Sequence, residues 1–132
     1  VLTQVPYALT TGVEVADADI LKSDTAANLT AGYTTDLNAI GNSGTGTQTV
    51  SLTLECLQTL TINGSFTLAP PASGNGIAIM YATNDGTGGY TMTTSGFTKV
   101  TGTYISTAAA VNRLQVEKVG ALTTLIITNL TP

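Results

Sequence analysis

Histidine and tryptophan are absent from this chain, and cysteine occurs once, as Cys56. Without histidine, the usual general base, the usual zinc ligand and every Ser-His-Asp or Cys-His arrangement are excluded. What remains is carboxylate chemistry of the glycosidase kind, which needs two acids about 5 to 9.5 Å apart across a cleft. Glu55 and Glu117 are the candidates on expected strands, and a solvated strand face accounts for each. The chain is therefore expected to be no enzyme, with no catalytic residue and no cofactor.

Charge is scarce as well. Only 9% of the 132 residues are charged, the net charge is −4, and the cations are Lys22, Lys99, Arg113 and Lys118. That leaves no basic patch to neutralise phosphates, so nucleic acid is not an expected partner. No apolar run reaches the roughly 18 to 20 residues that span a bilayer, and the first residues lack the basic-then-apolar layout of a secretion signal. The expectation is a soluble chain without a membrane partner, not exported by a signal of its own. A lone cysteine cannot close an internal disulfide, and its place after Val50, Leu52 and Leu54 reads as a buried structural thiol. Asp17, Asp19 and Asp24 could gather around a calcium ion, but their spacing does not match the usual calcium loop, and no metal is assigned. Three N-x-[ST] matches, at Asn28, Asn63 and Asn129, are of the number that so threonine-rich a composition produces by chance.

What the chain has in place of charge is threonine, about a fifth of its residues, which is polar, β-branched and suited to a half-exposed pleated surface. Alternation follows from position 50 onward. Val50, Leu52 and Leu54 set one apolar face, and Leu60 and Ile62 repeat it before Asn63-Gly64, a dipeptide favouring a tight hairpin turn into Phe66 and Leu68. Pro70 and Pro71 end that strand. In residues 77–82, Ile77, Ile79 and Tyr81 share one face and Ala78 and Met80 the other, which points to a central or interfacial strand. The loop 84–89 leads to Tyr90-Thr91-Met92-Thr93 as a further hairpin arm. Val111 to Val119 and Leu122 to Asn129 read as a closing pair of strands about a Gly120-Ala121 turn.

The first part of the chain differs, with sparse apolar residues and a linker-like stretch at 39–46. The expected organisation is an amino-terminal arm or lightly packed edge over residues 1–46 and a β-sandwich domain over 47–132. The fold class expected is all-β: a small antiparallel sandwich or jelly roll, trimeric, with an extended arm. Val1, Leu2, Val5 and Tyr7 would add that arm as an edge strand to a neighbouring sheet. Lacking any staple, so small a domain is expected to gain stability by burying an apolar face against identical copies.

The stretch from Gln48 to Asn129 resembles small jelly-roll domains of bacteriophage fibre, collar and capsid-decoration proteins. The residues that carry the likeness are Val50-Ser51-Leu52-Thr53-Leu54, the proline-bearing Phe66-Thr67-Leu68-Ala69-Pro70-Pro71, Ile77-Ala78-Ile79-Met80 leading to Gly88-Gly89-Tyr90-Thr91-Met92, and the closing Leu114 and Ile126 strands. It covers about 80 residues, and departs from many relatives in having Thr93-Thr94-Ser95-Gly96 where they carry a tryptophan. The resemblance implies a virion structural protein made in the host cytoplasm, a decoration or cement protein that binds the major capsid protein on the outer capsid surface as a homotrimer, with Val1, Leu2, Val5 and Tyr7 of the arm on the capsid or another subunit. The alternative it implies is a fibre or spike head that binds a host-surface glycan, for which Tyr81, Tyr90 and Tyr104 are the candidate contacts.

Overall fold

The computed structural model describes residues 36–53 and 56–131, all within one compact unit. Among the described residues there are nine strands and no helix: β1 (Leu37–Asn42), β2 (Thr47–Thr49), β3 (Leu57–Ile62), β4 (Phe66–Ala69), β5 (Gly76–Asn84), β6 (Met92–Thr94), β7 (Lys99–Thr101), β8 (Val111–Val119) and β9 (Leu122–Asn129). β1, β3 and β5 lie side by side and parallel in one sheet, while β2, β4 and β6 do the same in a second. The chain thus winds from sheet to sheet as a parallel β-solenoid of about four turns.

This corrects the expected antiparallel jelly roll. Alternation in the sequence located β3, β4, β5, β8 and β9 but says nothing of which strand pairs with which. The corner at Asn63-Gly64 shows why. Instead of folding β4 back on β3, it turns the chain sideways into the other sheet and stacks on the corner one turn earlier. The Gly44 amide donates to Asn63 Oδ1 at 3.0 Å, and a Cβ on Gly64 would stand 2.6 Å from the Gly44 carbonyl oxygen. Glycine is required there because backbone lies on backbone. Likewise the stretch around Tyr90 does not pair with β5; Met92 to Thr94 run beside Phe66 to Leu68 in the smaller sheet.

Two more expectations change. The linker-like residues 39–46 contain most of β1 and its corner, because Ala39 and Gly41 continue a ladder with Thr59 and Leu60. Of the strand expected at 50–54, the described residues 50–53 are not strand, and β2 ends just before them. Val50 still donates its amide to Ala69, but the next residue on the partner side, Pro70, has no N–H to continue the ladder. Cys56 is half-buried and not a core thiol.

The closing pair of strands stands as read. β8 and β9 form an antiparallel hairpin, inserted in the larger sheet between β5 and the edge strand β7, in the order β1-β3-β5-β8-β9-β7. β5 is central, as its two apolar faces suggested: Ala78, Met80 and Ala82 point into the core, and Ile77, Ile79 and Tyr81 point out. Between the sheets Leu60, Ile62, Leu68, Met80, Leu114 and Leu125 are inaccessible or nearly so. Each such side chain contributes on the order of 1.5–3 kcal/mol by leaving water, which lets a fold without disulfide hold together.

Candidate functional site

The two outer surfaces of the solenoid differ in chemistry. On the smaller sheet the parallel register places Thr47, Thr67 and Thr93 in one row, and the hydroxyls of Thr67 and Thr93 are hydrogen-bonded at 2.8 Å. This is a wet, hydroxyl-lined surface.

The larger sheet is otherwise. Its register aligns Leu37, Leu57, Ile79, Gln115 and Ile126 in one row across five strands. Leu37 is 59% exposed, Ile77 in the adjoining row 53% and Ile126 38%. Isolated apolar side chains on a surface are ordinary, but a row of them across a sheet, here interrupted at Gln115, is a candidate interaction surface. Down the middle runs a polar spine on β8: Arg113 donates to Gln115 Oε1 at 2.8 Å, and Gln115 Nε2 donates to Glu117 Oε1 at 2.8 Å. Glu117 is therefore part of this chain of bonds; Glu55, its suggested partner, lies outside the described residues.

A cleft of about 390 Å³ opens near one end of the fold, walled by Tyr90, Met92, Val100, Tyr104 and Ile127. The structure brings two of the candidate glycan contacts, Tyr90 and Tyr104, to this cleft, and puts Tyr81 on the outer face of the larger sheet instead. Both cleft tyrosines are already committed. Tyr104 donates its hydroxyl to Asn84 Oδ1 and sets its ring edge-on to Phe66, centroids 6.5 Å apart. Burial pushes the Tyr104 hydroxyl's pKa up. Tyr90 donates to Asp85 Oδ2 at 3.1 Å. The other carboxylate oxygen accepts the amides of Gly88 and Thr87, and these bonds, Gly88 foremost, hold Asp85 below the usual carboxylate range. Asp85 thus fastens the loop that carries Tyr90.

The arm residues Val1, Leu2, Val5 and Tyr7, and Asp17, Asp19 and Asp24, lie outside the described residues. The outer row was missed because its residues are scattered in sequence: Leu37, Leu57 and Ile79 meet through parallel register, and Ile126 joins them through the antiparallel β5-β8-β9 pairing. No family model, curated protein or solved structure matches this chain.

Proposed function

We propose that this chain is a non-enzymatic structural component of a bacteriophage particle, on the outside of the shell, that works by packing the outer face of its larger sheet against another protein subunit. The observation that carries the reading is the apolar row Leu37, Leu57, Ile79 and Ile126, flanked by Ile77. Covering such a row is favourable by roughly 25 cal/mol per Å² of apolar surface removed from water. The contrast with the threonine row of the smaller sheet supports one docked side and one solvated side. The particle itself is suggested by the resemblance in the order of sequence segments alone, since the solenoid does not share the jelly-roll fold of those domains.

The test is incorporation. Ile77→Asp and Ile126→Asp place a charge on exposed positions of this face, outside the core between the sheets. Particles assembled with either variant should carry at least about tenfold fewer copies than particles made with the unaltered chain. Equal incorporation would overturn the reading.

A second reading, glycan recognition by a fibre or spike head, has the meeting of Tyr90 and Tyr104 in one cleft in its favour. Against it stands the commitment of both hydroxyls to Asp85 and Asn84. Loss of polysaccharide binding on Tyr90→Ala, with incorporation unchanged, would favour it.

A further inference from the structure

The larger sheet's outer face carries a pattern that matches itself when turned over. The row Leu37, Leu57, Ile79, Gln115, Ile126 runs perpendicular to the strands. On one side of it β5 and β8 place Ile77 beside Glu117; on the other they place Tyr81 beside Arg113. A two-fold axis lying along the row, between two sheets packed face to face, superposes the row on itself. The same operation sets Ile77 against Tyr81 of the second copy and Glu117 against Arg113 of the second copy, twice over. Apolar meets apolar and cation meets anion. A surface that is self-complementary under a two-fold is what an isologous dimer requires.

We infer that the subunit covering this face is a second copy of the chain, in a two-fold face-to-face dimer centred on Ile79 and Gln115. The inference rests on the docking reading above and names its partner. β5 and β8 are the middle strands of the six-stranded sheet, so their register survives the crossing of about 30° that twisted sheets adopt when stacked. The Arg113–Gln115–Glu117 spine holds both charges in position before the copies meet, which lowers the ordering cost of the ionic contacts. Those contacts set register and exclude the shifted packings that the apolar row alone would permit. Lys99, in the row of Glu117 but on the edge strand β7, stays at the rim. Six strands at about 4.8 Å spacing and three rows of side chains give a footprint of about 600 Å² per copy, somewhat below the roughly 800 Å² of a standard interface. The dimer is accordingly concentration-dependent.

The experiment is sedimentation equilibrium of the full chain from about 1 to about 300 μM, a range suited to an interface of this size. Three samples are compared with the unaltered chain: Arg113→Glu alone, Glu117→Arg alone, and their equimolar mixture. Each variant by itself opposes like charges and should dimerise at least about tenfold more weakly. In a mixed dimer the reversed charge at position 113 of one copy meets the reversed charge at position 117 of the other, and the remaining contact keeps the native Glu117 and Arg113. Opposite charges then face each other at every contact, so the mixture should restore association to within about threefold. A merely local role for the spine predicts no rescue on mixing. A monomer throughout, a three-chain mass, or a dimer indifferent to the charge changes would overturn the inference, as would weakening without rescue. Should either variant fold poorly by circular dichroism, Leu37→Asp and Ile77→Asp at well-exposed positions give the same reading of the face. If the unaltered chain stays monomeric while Ile77→Asp still abolishes incorporation, the docking face stands and its partner is a different subunit. If Ile77→Asp changes neither, both readings fall together.

Discussion

Asn84 and Asn112 hold the same carbonyl: Ile105 O accepts from Nδ2 of each at 2.9 Å, and both side chains are at most 2% exposed. Asn112 Oδ1 also accepts the Ile105 amide at 2.9 Å, and Asn84 reaches Thr107 O at 2.9 Å. Two strands of the larger sheet thereby fasten the connection that carries Tyr104. Buried amides are costly unless satisfied, and here the backbone of that connection satisfies them.

Asn112→Ala should therefore lower stability by about 2–4 kcal/mol, since it empties a core site and leaves the Ile105 amide without its acceptor. Urea denaturation measures this. A loss below about 0.5 kcal/mol would show that the connection is held by other means.

Glycines at positive φ separate strain from collision. Gly120 has φ +59° with open space around it, so Gly120→Ala should cost only about 1 kcal/mol. Gly88 has φ +63°, and its Cβ would lie 2.4 Å from the Ala108 amide nitrogen. Gly88→Ala should cost at least about 2 kcal/mol more than Gly120→Ala, because backbone must move in addition. Equal thermal shifts for the two would contradict the packing of the 85–89 loop on residues 107–109.

Asp85 binds its proton less readily folded than unfolded, since the Gly88 and Thr87 amides and the Tyr90 hydroxyl bond the carboxylate form. The stability this supplies is present above the unfolded aspartate pKa, near 4, and is lost as pH falls below it. Stability measured against pH should therefore decline on acidification, and Asp85→Asn should flatten that decline while reducing stability at neutral pH. An acid limb left unchanged by the substitution would show that these bonds do not favour the carboxylate.

The strands were more legible than the fold. β8 and β9 could be bounded from sequence because Leu114 and Val116 mark one face of the first, Ile126 and Ile127 centre the second, and Gly120 closes a local antiparallel pair, whose partners are also neighbours along the chain. Leu60, Ile62, Phe66 and Leu68 were likewise legible as buried. Their partners were not, since a period of two marks which side faces inward and carries no information on whether a corner reverses the chain or turns it to another sheet. Asn63-Gly64 suits a hairpin and suits a solenoid corner equally; the deciding contact, Gly64 on Gly44, lies 20 residues back. The Leu37, Leu57 and Ile79 part of the outer apolar row depends on the same parallel register. For the tyrosines, proximity of Tyr90 and Tyr104 could be guessed from nearby loops, but Tyr81 belongs with them only if β5 and β6 make a hairpin.

Packing in the core can be tested at the junction of the solenoid and the hairpin. Met80 and Leu114 are register partners with at most 1% exposure. Leu114→Ala should cost about 2–5 kcal/mol through lost burial and a residual cavity, with the two-state transition preserved. A change under about 1 kcal/mol would mean that the hairpin is not packed on the same core as the solenoid.

Hydroxyl-radical footprinting of the free chain against the assembled chain is the most direct test of where this protein docks. Protection on assembly is expected at Leu37, Ile77, Tyr81 and Ile126, with Tyr90 and Met92 at the cleft reacting as they do in the free chain. Protection of the cleft with the outer row still reactive would contradict docking through the larger sheet.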